Sequence, residues 1–549
     1  RSRCPWYSLL CVVVLIGSVL CDVRVDPLVL ISSQGLVRGY KAADGDYSLF
    51  LGIPYAQVDS SDPFGPAHEP PAFREIIYTA NDSSIKCPQT TNEHTPSEHE
   101  ELDCLRLNIY VPFQASMYNP LPVLVWIHGG DFARGSGGDY GVANLVRHDI
   151  VVVTFNYRLG PYGFMCLDIP GVPGNQGLRD QYAALNWIKN NIASFGGNPY
   201  NVTVAGQDNV TVAGQDAGAT SVLLHLYSNK DRLFQKAIVA SGTPQSESMF
   251  VNQDADAAIK LASYLGVDTT DTQEALRFLE GSSHELVTAA AHELDLPLKP
   301  CKERSFSGIE NFVESDPYSL SNELKVSRTQ IMIGYTSLER DSLDSDYFNT
   351  DPFYNKLQNN FNLAEQDLEK AAKIVRRFYI GDNAVSENVI TDLENFESDF
   401  GHNHPSERQI TKLLEEHVSV LYEYLFGYVG DSNSAGAGHS TELNYLFNLY
   451  NRNQQRSEED QLIIDRVTTL WANFVKYGNP TPSNPTDLIP VKWDPVTIDT
   501  RPSLVIDTDL RLEGRVFKER MAFWDLFYST YGDFSKLSRI CSNSPYICC

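Results

Sequence analysis

Five short runs of apolar, largely β-branched residues recur along the chain, separated by stretches with helical spacing. They are VLVWI (123–127), IVVVTF (150–155), NVTVA (209–213), KAIVA (236–240) and QIMIG (330–334). A strand that is apolar at nearly every position can leave neither face in water. The intervening helices must cover it, so the pattern predicts a large, mostly parallel central sheet flanked by helices. The helical spacing is clearest in QGLRDQYAALNWIKNNIASF. There Leu178, Tyr182, Leu185, Ile188 and Ile192 return every three or four residues, while Arg179, Asp180, Lys189 and Asn190 take the other side. FGGNP then ends the helix. The run from Leu28 to Pro54 reads as an N-terminal antiparallel meander feeding the sheet, and 250–300 and 350–430 read as mainly helical. No Pro/Gly/Ser linker divides the 549 residues, so one α/β domain is expected over 22–535, with a Cys-rich tail at 536–549.

A net charge of −27 argues against nucleic acid or an anionic membrane surface as partner, because both repel it. At the N-terminus two arginines lead into the apolar run 8–20 of RSRCPWYSLLCVVVLIGSVLCD. That run is short for a membrane span and suits a secretory signal, so residues 1–21 are read as a signal peptide cleaved before Asp22. An uncleaved N-terminal anchor is the rival reading. No later stretch is long and apolar enough to span a bilayer, and the product is expected to be secreted, where cysteines can pair. Cys87 and Cys104 bracket a polar segment and are the expected disulfide, closing a loop worth roughly 3 kcal/mol. Cys166 and Cys301 sit among apolar residues and are expected to be inert core thiols. Cys541, Cys548 and Cys549 crowd the tail, where pairing within the tail and linkage to a second chain both stay open.

The stretch VAGQDNVTVAGQDAGAT (204–220) is a strand running into G-Q-D-A-G, the frame of a nucleophile elbow with an acid at its centre. It is also stuttered, since NVTVAGQD occupies both 201–208 and 209–216. A tight strand-to-helix turn needs small residues two positions before and after its centre. Asp216 has Gly214 and Gly218 there, whereas Asp208 is followed by Val210, so Asp216 is the expected elbow residue. A genuine insertion and an artefact of the sequence record both remain open for the extra copy.

FLGIPYA (50–56), ELDCLRLNIYVP (101–112), VLVWIHGGDF (123–132), NYRLGPYGF (156–164), GNQGLRDQYAALNWIKNNIASFGGNP (174–199) and LWANFVKYGNP (470–480) occur in order. Together they resemble the type B carboxylesterase and cholinesterase family, over roughly 25–530. The resemblance implies the α/β-hydrolase fold and the Cys87–Cys104 bridge. It implies a triad in the order nucleophile, acid, histidine at Asp216, Glu339 of GYTSLERD, and His439 of GAGHSTELNYLF. Leu338 and Arg340 depart from the family pattern around the acid. The oxyanion hole would come from Gly129, Gly130, Asp131 and Ala217, with Asp131 replacing the third glycine of the family's H-G-G-G-F.

Ester hydrolysis by a triad needs a hydroxyl whose proton the histidine removes as it attacks. An aspartate side chain ionises near ~3.9, has no such proton at neutral pH and is a poor nucleophile toward esters. Losing a triad member typically costs on the order of 10⁴ to 10⁶ in turnover. Asp216 is expected to pair with a protonated His439 instead. A second carboxylate at Asp131 is expected to oppose charge developing in the hole. The resemblance is therefore to the family's catalytically silent adhesion members, glutactin among them, with a role in cell adhesion or extracellular-matrix protein binding. The alternative is an active hydrolase, either of carboxylic esters or using Asp216 as nucleophile toward an alkyl carbon. The Cys87–Cys104 loop lacks a tryptophan, so it offers no cation–π platform for a quaternary ammonium.

No cofactor and no metal is expected. His402-Asn403-His404 has ligand spacing but reads as a solvated polar loop, and DSLDSD (341–346) lacks the glycine turn and terminal Glu of an EF-hand. Asn81 is the expected glycosylation acceptor; Asn201 and Asn209 match the same pattern at a strand edge. Partners are expected to be extracellular proteins at the matrix or cell surface, with a homodimer through the C-terminal helices LWANFVKYG and KERMAFWDLFYSTYG.

Overall fold

The computed structural model describes residues 27–89, 99–199, 210–430, 432, 434–449 and 456–537. The signal segment, the first repeat copy with Asn201, residue Asn209 and the tail cysteines lie outside them. An 11-stranded sheet dominates. Its centre runs through β7 (Val123–Ile127), β8 (Val151–Phe155), β9 (Val210–Gln215), β10 (Lys236–Ala240), β11 (Gln330–Thr336), β12 (Val420–Phe426) and β13 (Pro502–Ile506), all paired in parallel. Antiparallel strands close both ends: β3 (Tyr40–Lys41), β4 (Tyr47–Pro54) and β6 (Arg106–Pro112) at one, β14 (Arg511–Gly514) at the other. From edge to edge the order is β14-β13-β12-β11-β10-β9-β7-β8-β6-β4-β3.

The central strands are apolar throughout because successive side chains enter different cores. Val123, Val125 and Ile127 pack with Leu178, Leu185 and Ile188 of the helix Gln176–Asn191, and with Val222 and Leu223 of the helix Ala217–Tyr227. Leu124 and Trp126 point the other way, to Ile463, Leu470, Trp471 and Phe474 of the helix Glu458–Tyr477. This is the fold class that the strand pattern predicts. The meander is corrected in part. β1 (Leu28–Ile31) and β2 (Gly35–Arg38) form a separate three-stranded sheet with β5 (Ile77–Thr79), and only β3 and β4 join the main sheet.

Among the described residues there are two disulfides. Cys87–Cys104 is the expected one. Cys166 and Cys301, expected as free core thiols, are also bonded to each other across a sequence separation of 135. Their apolar neighbours report burial, and nothing local reports a partner so far along the chain. Asn81 is exposed. Among the described residues no helix is long and apolar enough to cross a membrane.

Two family motifs meet in a buried ion pair. Arg158 of NYRLGPYGF donates from Nε and Nη2 to the two carboxylate oxygens of Asp180 of QGLRDQ, both at 2.7 Å, and from Nη1 to the carbonyls of Pro63 and Gly65. Both side chains are almost entirely out of solvent. The pair ties the loop after β8 to the helix that covers the centre of the sheet.

Candidate active site

The site sits at the carboxyl ends of the central parallel strands, where open α/β sheets place their ligands. β9 ends at Gln215, the helix begins at Ala217, and Asp216 makes the turn with φ 56° and ψ −120°. That left-handed conformation costs a non-glycine residue free energy and is held by its surroundings. Asp216 N–H donates to Ala240 O at 2.9 Å. A Cβ on Gly214 would stand 2.3 Å from the Gly218 carbonyl carbon, and one on Gly218 would stand 2.1 Å from Ile127 O. The elbow therefore closes only with glycine at both places.

Glu339 follows β11 and is fully buried, accepting hydrogen bonds from Ser241 Oγ at 2.6 Å and Thr336 N–H at 2.7 Å. Its other oxygen receives His439 Nδ1 at 2.5 Å. Burial works against the Glu339 charge, but the His439 imidazolium and the hydrogen bonds outweigh it and hold the carboxyl down to about 2. Burial likewise works against the charge on His439, and Glu339, Asp216 and Glu442 outweigh it, raising the ring to about 9. Glu442 is buried beside them, and burial together with the charge of Glu339 lifts it to about 7.

Asp216 pairs with His439 as the sequence predicts, but at long range. Its Oδ1 stays 3.9 Å from Nε2, and the Gln215 side-chain amide meets that nitrogen at 2.7 Å. A charged ring and an amide nitrogen cannot both donate, so with acids on both sides the amide is best turned to offer its oxygen. Asp216 Oδ2 instead accepts from Gly130 N–H at 3.0 Å and Asp131 N–H at 2.9 Å. These are backbone donors of the expected oxyanion hole, and the elbow side chain fills it. Gly129 lies against the same turn, where a Cβ would meet the Gln215 carbonyl at 2.7 Å. Ala217 is buried at the start of the helix.

Asp131 departs from expectation as well. Its backbone adopts φ 59°, a conformation the family's glycine would take freely, and its carboxylate turns out of the hole to pair with Lys299. The side chain is 53% exposed. The hole thus keeps its donors, and the acid at this position is neutralised by a cation rather than aimed at the reacting atoms. A cavity of about 500 Å³ beside it is lined by Gly130, Asp131, Arg134, Pro161, Leu298 and Lys299 among others. A second, of about 450 Å³, is lined by residues including Gln89, Gly129, Tyr140, Gln215 and Leu443.

Residues 26–524 match the profile of the Carboxylesterase family. The chain belongs to the carboxylesterase family. Juvenile hormone esterase of Heliothis virescens is 31% identical over 493 residues, covering 82% of this chain and 85% of that protein. Acetylcholinesterase of Bungarus fasciatus is 28% identical over 581 residues, covering 95% and 90%. Among solved structures, juvenile hormone esterase of Manduca sexta, with OTFP covalently attached, superposes at TM-score 0.78. Its sequence identity is 27%, over 92% of this chain and 100% of that one. The family is thus one with named ester hydrolases among its members. This member of the family carries aspartate at the elbow.

Several residues at the site were not singled out from sequence. Ser241 follows β10 directly, and a polar residue at the carboxyl end of a core strand is the signal that points to it. Gln215 is the elbow's own neighbour. The HNH run is corrected: it is no solvated loop. His402 lies in a π-helical turn, Asp399–Asn403, between the helices Ile390–Ser398 and His404–Glu415. Its ring centroid is 5.0 Å from that of His439, and burial lowers its proton affinity. His404 is buried against Tyr528 and pairs with Asp525 at 3.1 Å, anchoring the C-terminal helix Lys518–Tyr531.

Proposed function

We propose that this chain is a secreted, catalytically silent member of its family that binds other extracellular proteins, in adhesion or in the matrix. One observation carries the loss of acyl transfer: Asp216 Oδ2 occupies the two N–H donors that a tetrahedral oxyanion would need. The side chain that replaces the attacking hydroxyl has no proton to give up, and it also blocks the place where charge would be stabilised. The acidic surface supports binding of basic patches on partners rather than of nucleic acid. The helices Glu458–Tyr477 and Lys518–Tyr531 are formed, which supports a homodimer through them. The test is hydrolysis of short-chain aryl esters by the purified chain, alongside pull-down and bead aggregation with matrix proteins. The expected result is no turnover above the uncatalysed rate, with partner capture. Turnover abolished by His439→Ala would contradict it.

A second reading has one observation in its favour. With Oδ2 held by two donors, Oδ1 accepts no hydrogen bond among the described residues and faces His439, the arrangement an aspartate nucleophile needs. Oδ1 would displace a leaving group from an alkyl carbon. Water would then add to the resulting ester carbonyl, passing its proton to His439, and the alcohol would depart as the carboxylate re-forms. A ring that holds its own proton at neutral pH is a poor base for that second step, which ranks this reading below the first. Single turnover in heavy-oxygen water labels Asp216 if it operates, and leaves the peptide unlabelled if it does not.

A further inference from the structure

Outside the interactions already described, the π-helical turn leaves one side chain without a task. His402 reaches the catalytic histidine position, yet neither of its ring nitrogens has a hydrogen-bond partner among the described residues. A π turn carries one residue more per hydrogen-bonded loop than an α turn and so re-aims the side chains that follow. Here it directs an imidazole at the elbow rather than along the helix surface. One donor atom each from Asp216, His402 and His439 then lies within 4.8 Å of the other two.

We propose that Asp216, His402 and His439 bind a divalent transition-metal ion, zinc by preference, through one carboxylate oxygen and two imidazole nitrogens. Two imidazoles and a carboxylate are the donor set of three-ligand zinc sites, which leave the fourth position open. The replacement at the elbow creates the set, since a serine hydroxyl is a poor ligand and a carboxylate a good one.

The supporting contacts are those that metal ligands need. Glu339 accepts a hydrogen bond from His439 Nδ1–H and so directs Nε2 to the ion, which displaces the Nε2 proton to solvent. Gly130 and Asp131 N–H hold Asp216 Oδ2, leaving Oδ1 to coordinate. One contact must give way, the Gln215 amide on His439 Nε2. In a tetrahedral site with bonds of about 2.1 Å the donors stand roughly 3.4 Å apart, so closure on the order of 1 Å is required. The loop carrying His439, which includes Gly436 and Gly438, is the segment best able to supply it.

The inference goes beyond the silent-scaffold reading and is measured without turnover, so the failure of either leaves the other standing. The purified full chain is equilibrated with zinc, freed of loose ions by gel filtration, and its metal content and affinity determined. One zinc per chain is expected. His402→Ala and Asp216→Asn should each weaken binding at least tenfold, while His417→Ala, at an exposed histidine outside the site, leaves it unchanged. Zinc content of zero, or content that His402→Ala leaves intact in a folded protein, overturns the proposal. If the variants do not fold, the cobalt form of the wild type decides. An intense visible band from a four-coordinate nitrogen-containing site supports the assignment. The pale spectrum of six oxygen ligands, as from surface carboxylates, overturns it.

Discussion

On the proposed reading position 216 decides the chemistry twice over, because one side chain stands where the attacking hydroxyl would be and accepts from the two N–H donors beside it. The companion acid is less harmful than its sequence suggests. Asp131 faces Lys299, so its backbone N–H remains available once position 216 is emptied. Asp216→Ser is therefore expected to raise aryl-ester hydrolysis on the order of 10²-fold or more over the wild type, part of what a missing triad member removes. In that background Lys299→Ala should lower the gain several-fold by releasing the Asp131 carboxylate, a difference read in kcat rather than KM. A double variant as fast as Asp216→Ser would show that the ion pair does not matter. Asp216, Glu339 and His439 were legible because glycine spacing and motif order survive in a linear string. The direction of the Asp131 side chain was not, because its partner lies far along the chain. His402 was misread because a π turn leaves no mark in residue spacing.

Among the elements, the helix Gln176–Asn191 and the loop after β8 are held by Arg158 and Asp180, both in motifs readable from sequence. Removing one partner of a buried pair strands the other charge and typically costs about 3–5 kcal/mol. Asp180→Ala is expected to lower the denaturant midpoint accordingly, and a shift within error would mean that water reaches Arg158. Cys166–Cys301 closes a long segment, so Cys166→Ala with Cys301→Ala should destabilise by about 2–5 kcal/mol under oxidising conditions. Under reducing conditions the two proteins should unfold together. The strands themselves were the most legible elements, since burial on both faces forces a continuous apolar run. The small sheet of β1, β2 and β5 was not, because short half-exposed strands pair by tertiary contact and carry no pattern that names their neighbour.

For the whole molecule, several histidines are buried as neutral rings, which makes stability depend on pH. Burial holds His128 and His404 at about 4 and His225 at about 3. In the unfolded chain they take a proton near ~6.5, so below that pH the unfolded state binds protons that the folded state refuses. Their contribution is intact above about 6.5 and is lost as the pH falls toward 4. His225→Gln, which keeps a polar partner for Gln181, should flatten the fall of Tm between those limits, and an unchanged slope would assign the loss to other groups. The fold as a whole could be read from the sequence because many long motifs constrain one topology together. Whether the site works could not, since that depends on which hydrogen bonds a single carboxylate makes. The most direct measurement is therefore stoichiometric labelling by a serine-directed fluorophosphonate, comparing wild type, Asp216→Ser, and Asp216→Ser with His439→Ala. The expected result is labelling at position 216 in the single variant alone; a folded single variant that stays unlabelled, or a wild type that is labelled, would contradict the account.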